Sequence, residues 1–327
     1  MFMQSLLLGA LCAFGVVVLL GPVAIPLLHR LKFGQVVREE GPAAHKAKTG
    51  TPTMGGLLIL AGICVAVPVI HTTSPAAWLM LFVTLACGAL GFVDDYIKVV
   101  LKRNLGLRAK EKLLGQILIA VAFSWIITRF LGRGTELWIP GLDVTWNLGF
   151  WFHGLVFFII VGTTNAVNLT DGLDGLAAGT TAVAAGIYAA VSWLRGQPDV
   201  AGFFTIVAGA ALGFLVFNRH PARIFMGDTG SLALGGALAA GAVLTGTELL
   251  LPVIGAVFVA EAVSVILQVA SFKTTGRRIF RMSPLHHHFE LGGWPEIRVV
   301  RVFWAAGIIA GLVGLCIMLG STGGRLV

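Results

Sequence analysis

The chain has 327 residues, 57% of them hydrophobic and 12% charged, with 23 Lys and Arg against 15 Asp and Glu and a formal charge of +8. Soluble domains carry roughly 25% charged residues, so this chain cannot cover a water-facing surface, and its low charge also excludes intrinsic disorder. The 43 glycines follow no G-x-y period, and the four cysteines (Cys12, Cys64, Cys87 and Cys316) sit singly in apolar runs, which excludes a collagen-like chain, a disulfide scaffold and a thiolate metal site.

An all-α polytopic membrane protein remains, and the basic excess then reads as membrane orientation rather than nucleic-acid binding. In chain order, ten apolar runs approach the roughly 20 residues a helix needs to cross a bilayer: about 5–28, 52–71, 76–93, 113–131, 150–166, 175–194, 200–217, 231–247, 250–271 and 302–320. No basic segment precedes the first run, so it reads as a retained span, not a signal peptide. Nothing between the runs is long enough for a separate soluble domain, so residues 1–327 read as a single integral membrane domain. Nineteen of the 23 Lys and Arg fall in the loops after the odd-numbered runs; the others are Arg129, Arg133, Arg195 and Arg325. The positive-inside rule then predicts that the basic side faces the cytoplasm and that both termini lie outside.

Most carboxylates also lie on the basic side or at its border, which orientation does not require. A carboxylate at bilayer depth costs about 2.5–3.5 kcal/mol on insertion scales, so these residues need a reason. His45 to Gly56 brings Lys46 and Lys48 to the mouth of the second run, beside Thr53; the lysines could hold a diphosphate as point charges, or could serve topology alone. Asp94 and Asp95 end the third run, with Lys98 one helical turn on and able to shield them. Asn165, Asn168, Thr170, Asp171 and Asp174 crowd one short connection. Capping by Thr170 or Asp171 would use one oxygen of that set and leave the rest unexplained. Asn218, Arg223, Phe225 and Asp228 precede the eighth run, where Asp228 could again be a cap. His286, His287, His288 and Glu290 lie in a long arginine-bearing loop. Three consecutive histidines do not converge easily on one zinc ion, and the expectation is that they position phosphate or sugar groups.

Each simple alternative stands alone; jointly they are strained. Oxygen ligands, lysines, arginines and histidines accumulate on one rim, which suits Mg²⁺ or Mn²⁺ bridging phosphates and a cationic clamp for phosphoryl transfer. At a membrane face such a site would serve one lipid and one water-soluble partner.

The motifs Gly50-Thr51-Pro52-Thr53-Met54-Gly55-Gly56, Gly91-Phe92-Val93-Asp94-Asp95, Asn165 to Gly175, Phe225-Met226-Gly227-Asp228 and Pro284 to Glu290 together resemble the phospho-N-acetylmuramoyl-pentapeptide-transferase family, a branch of the polyprenyl-phosphate N-acetylhexosamine-1-phosphate transferases. The Asp-Asp pair is common to the superfamily, whereas the triple-His loop is specific to this branch. The resemblance implies ten membrane helices, a homodimer in the bacterial inner (cytoplasmic) membrane and an active site on its cytoplasmic face. It implies a Mg²⁺-dependent reaction between UDP-MurNAc-pentapeptide and undecaprenyl phosphate, giving lipid I and UMP. It also implies roles: Asp228 and Asp94 at the metal; Asp94, Asp95, Asp228 and His287 in catalysis; Asp94 orienting or deprotonating the lipid phosphate. Asn165, Asn168, Asp171 and Asp174 would contact the nucleotide sugar, with Asp171 toward uracil. Lys48 and Thr53 would lie near the diphosphate or nucleoside, Phe225 on the base, Asn218 and Gln268 close by, and His286 and His288 against the substrate. Two rivals stay open: a sister enzyme moving GlcNAc-1-phosphate to the same lipid, and a secondary transporter.

Overall fold

The computed structural model describes residues 2–30, 50–71, 73–103 and 105–321. Lys46 and Lys48 lie outside the described residues. Among those described, helices dominate: α1 (Phe2–Arg30), α2 (Gly56–Ile70), α3 (Pro75–Val99), α4 (Ala109–Arg129), α5 (Trp151–Thr170), α6 (Leu176–Leu194), α7 (Pro198–Asn218), α8 (Gly227–Thr245), α9 (Leu251–Ile254), α10 (Ala256–Thr275), α11 (Leu285–Glu290) and α12 (Glu296–Ser321). Eight of these, α1, α3 to α7, α10 and α12, are long and apolar enough to cross a membrane. The chain is thus a polytopic membrane protein. The second predicted run becomes α2, an apolar helix of 15 residues.

The eighth run forms α8, which the others surround. Every residue of α8 from Thr229 to Thr245 is buried. Its sequence is mostly Gly, Ala, Ser and Thr with a few leucines, and that composition permits backbone contact with neighbouring helices. A Cβ on Gly56 would lie 2.1 Å from the Gly230 nitrogen, and one on Gly91 would lie 2.1 Å from the Asp228 carbonyl oxygen. α2 and α3 therefore reach the start of α8 backbone to backbone. α1 meets α7 the same way, with Gly209 and Gly213 of α7 set against the backbone of Ala10 and Phe14. A helix enclosed like α8 faces no lipid, so it can be less hydrophobic than its neighbours.

The structure corrects the sequence reading in three places. The all-α expectation misses a hairpin, β1 (Glu136–Ile139) paired antiparallel with β2 (Val144–Asn147) in register Glu136 to Asn147. Alternating β-branched and aromatic residues flank a turn in which Gly141 and Asp143 take positive φ. The run at 250–271 is broken at Gly255 into α9 and α10. The capping alternative fails at α6 and α8, whose N-cap positions are Gly175 and Met226 and carry no side-chain cap. Several helices instead outrun their apolar stretches at the basic rim, so that Asp94, Asp95 and Lys98 ride on the last turns of α3 and Asp228 on the first turn of α8.

Candidate active site

The site is built around the N-terminal end of α8. Residues 52–56 run beside 225–227 and exchange backbone hydrogen bonds: Phe225 N–H donates to the Pro52 carbonyl (2.8 Å), Gly55 N–H to Phe225 (2.8 Å) and Gly56 N–H to Met226 (2.9 Å). This ladder sets Thr53 against Gly227, whose φ of +73° turns the chain into α8.

Helix starts leave N–H groups without helical partners. Here the carboxylate of Asp95, on another helix, takes them. Its Oδ1 accepts from Asp228 N–H (3.1 Å), and its Oδ2 accepts from Thr229 N–H (2.9 Å) and the Thr229 hydroxyl (2.7 Å). Asp95 therefore holds α8 in place and turns the Asp228 side chain toward Asp94.

Oxygens of Asp94, Asp95 and Asp228 lie within 4.8 Å of one another. Asp94 accepts from Leu107 N–H (2.8 Å) and is ion-paired with Lys98. Asp228 Oδ2 receives two ammonium groups, Lys112 at 3.0 Å and Lys98 at 3.2 Å, and its Oδ1 accepts from the Asn168 amide at 2.9 Å. Asn168 also donates to Ser231 Oγ at 2.9 Å. One turn earlier on α5, Asn165 donates to Gln116 of α4 (3.3 Å). Three carboxylates against two lysines leave a net negative centre. Hard oxygen donors at this spacing fit a divalent cation that keeps several waters, with Asp94 and Asp228 the better placed because Asp95 is committed to α8.

Asp171 follows α5 and accepts a hydrogen bond from Gly227 N–H. Burial, then the nearby charges of Asp228 and Asp95, push its carboxyl up to about 8. The shift favours the protonated form, which can donate a hydrogen bond.

Four sequence-predicted site residues turn elsewhere. Asp174 accepts from Ala222 N–H (3.0 Å), faces His220 Nδ1 (3.1 Å) and lies beside Glu296, so it ties the 219–223 loop to α12. Asn218 accepts from Gly175 N–H and donates to the Ile224 carbonyl (3.0 and 2.9 Å). Gln268 spends its amide on the backbone of Ile279 and Phe280. His288 Nδ1 accepts from Arg281 N–H at 3.1 Å. A cavity of about 640 Å³ lies beyond Asp174, between α7 and α12, and not over the three carboxylates. His287 is partly buried, with Nδ1 2.8 Å from Glu290. His286 is completely buried and packs on Gly172, so α11 reaches the Asp171 turn through that ring.

Sequence reading missed Lys112 and Ser231. Lys112 had a signal: it sits at the edge of an apolar run, four residues before Gln116 and on the same face of α4, where an unpaired ammonium would be costly.

The model of glycosyl transferase family 4 matches residues 77–246, and a phospho-N-acetylmuramoyl-pentapeptide-transferase signature matches residues 48–60. Proteins named phospho-N-acetylmuramoyl-pentapeptide-transferase align over nearly the full length. The relative from Geobacillus sp. (strain WCH70) is 56% identical over 321 residues, 97% of this chain and 99% of its own. That from Bacillus subtilis (strain 168) is 57% identical over 321 residues, with the same coverage. That from Heliobacterium modesticaldum is 56% identical over 313 residues, 96% of this chain and 98% of its own. The chain belongs to the phospho-N-acetylmuramoyl-pentapeptide-transferase family. Membership makes it a transferase and disfavours both the GlcNAc-1-phosphate enzyme and the transporter. The family signature spans Lys48 and Thr53, and the family 4 match spans Asp94, Asp95, Asp171 and Asp228.

Proposed function

We propose that the chain transfers phospho-MurNAc-pentapeptide from UDP-MurNAc-pentapeptide to undecaprenyl phosphate, forming lipid I and releasing UMP. It does so on the cytoplasmic face of a bacterial inner membrane, as a homodimer of ten-span subunits with both termini outside, and with Mg²⁺ as its metal. The observation that carries this reading is the convergence of Asp94, Asp95 and Asp228, from two helices, with Lys98, Lys112 and Asn168.

In the reaction an oxygen of the lipid phosphate forms a bond to the sugar-linked phosphorus. The bond from that phosphorus to the bridging oxygen breaks, and UMP leaves with the electron pair. A phosphate monoester is already nucleophilic near neutral pH, so neutralising charge matters more than removing a proton. Asp94 and Asp228 would hold the metal, which when bound would offset the negative charge of the two phosphates. Asn168 fixes one oxygen of Asp228, and Lys98 and Lys112 offset charge on the other side. Asp94 orients the lipid phosphate. Asp171 meets the nucleotide on the uracil side, with Phe225 and Thr53 flanking it. His287 meets the substrate from α11, and Lys48 is assigned to the diphosphate or nucleoside by its place in the family motif.

The test is UMP release from UDP-MurNAc-pentapeptide, with and without undecaprenyl phosphate and Mg²⁺. The reading expects release only with all three. Release from UDP-GlcNAc in place of the muramoyl substrate would overturn it.

A further inference from the structure

Glu261 has no part in the reaction described above, yet it is completely buried on a helix long and apolar enough to cross a membrane. A carboxylate in that position is a functional candidate by default, and its partner should be identifiable. The partner is His286. The ring Nδ1 lies 3.1 Å from Glu261 Oε1, and the His286 backbone N–H points at Oε2 from 3.4 Å. Both side chains are sealed from solvent. Glu261 lies fourteen residues before Thr275, the end of α10, about 21 Å along the helix at 1.5 Å per residue. The chain after α10 therefore folds back along it to bring α11 down onto this carboxylate.

The other face of the His286 ring presses on the Asp171 turn. A Cβ on Gly172 would lie 2.2 Å from His286 Nε2, so the ring packs directly on the peptide that follows Asp171. Asp171 in turn accepts from Gly227 N–H, next to Asp228. On the far side, the His286 and His287 ring centroids are 4.1 Å apart.

We infer that Glu261 is a positioning residue of the transferase: by holding His286 it fixes the Asp171 turn against the start of α8 and sets His287 at the substrate side. The triple-His segment is thereby divided. His286 is a buried strut that works through the residues on either side, and His287 is the member that meets the ligand. A histidine whose orientation depends on a carboxylate loses activity when that carboxylate is removed, by about 10–100-fold where such outer partners have been changed at metal sites.

This inference rests on the transferase reading, and UMP release by the wild-type protein is the reference that separates the two. Without wild-type release, the functional reading falls. With it, the variants test Glu261 alone. For Glu261→Ala, kcat is expected to fall by about 10–100-fold with KM for the nucleotide sugar changed much less. Glu261→Gln, which keeps an oxygen to accept from the His286 backbone N–H, should recover most of that loss. The double variant Glu261→Ala/His286→Asn should be no slower than His286→Asn, because both act through one ring. Three results would overturn the inference: a wild-type kcat in Glu261→Ala, a loss that matches only the fraction of protein lost from the folded, monodisperse pool, or multiplicative losses in the double variant.

Discussion

The two ends of α8 solve the same physical problem with opposite charges. At the Asp228 end, one carboxylate, Asp95, takes the free N–H groups. At the Thr245 end the free carbonyls are taken by cations and an amide. Arg133 Nε donates to Val243 (3.1 Å), Gln197 to Leu244 (3.2 Å) and Arg195 Nε to Thr245 (3.1 Å). Anions at a helix start and cations at its end also suit the macrodipole. The Thr245 end is tied to the hairpin. Arg133 pairs with Glu248 at 2.7 Å and bonds to the Glu136 carbonyl of the hairpin, while Arg195 lies over the Trp138 ring. The Asp228 end carries more than capping needs. Asp95 suffices for α8; Asp94 and Asp228 go beyond capping, and with Asp95 they set three carboxylates against two lysines. A fold-only device would resemble the Thr245 end. The surplus marks the Asp228 end as the place for chemistry.

The sharpest way to break that contrast is Asp228→Ala. The capping bonds of Asp95 go to backbone N–H groups and to Thr229, so the variant keeps them and should fold. UMP release should drop by about 10³-fold, the scale for losing a charge-stabilising group. A variant that turns over normally would remove Asp228 from the mechanism and leave the two ends alike.

Next in size is Arg133→Ala, which strands Glu248 in a buried site. Above pH 7, where Glu248 is charged, removing its partner costs about 3–5 kcal/mol, and three carbonyl bonds go with it. The expected outcome is a large fall in thermal stability with kcat per folded molecule unchanged. A kcat that falls while the melting temperature holds would mean that the Thr245 end also serves the reaction.

Asp95→Asn and Asp95→Ala separate holding from chemistry. Asn keeps one acceptor oxygen for the Thr229 donors but sets its NH2 against the Asp228 N–H, whereas Ala loses both acceptors, at about 0.5–2 kcal/mol. The Ala variant should melt lower and lose activity through a displaced Asp228. The Asn variant should melt between the Ala variant and the wild type and keep part of the activity. An Asn variant that folds fully but is as inactive as Asp228→Ala would place Asp95 in the chemistry itself.

This contrast was half legible in the sequence. Long apolar runs announce helices because nothing else satisfies the backbone in lipid, and Asp94, Asp95 and Asp228 stood out because carboxylates there need a reason. The hairpin did not stand out: strands of four residues carry little periodic signal. Nor did the fate of Asp174, Asn218 and Gln268, whose polar groups serve the backbone. Which N–H and carbonyl groups are left over after the helices form depends on the path of the loops, and that is a property of the tertiary structure. Glu261 was visible as an anomaly, but its partner lies 25 residues away across a turn.

A stability effect without an activity effect concerns protons at the Thr245 end. Burial pushes the Glu248 carboxyl up to about 7, against the opposing pull of Arg133. Between its ordinary value near 4.5 and about 7, the folded protein keeps a proton that the unfolded chain has released. Stability therefore falls as pH rises through that window and levels off above it. Glu248→Gln cannot titrate, so the wild type should lose stability relative to this variant between pH 4.5 and 7.5, by about 1–3 kcal/mol. Paired melting curves across that range measure the difference. Activity per folded molecule should follow the same pH profile in both proteins, because the Thr245 end lies a full α8 length from Asp228. Curves that move in parallel would show that Glu248 stays ionised throughout and that the Thr245 end holds a permanent ion pair; an altered activity profile would show that it communicates with the carboxylates at the other end.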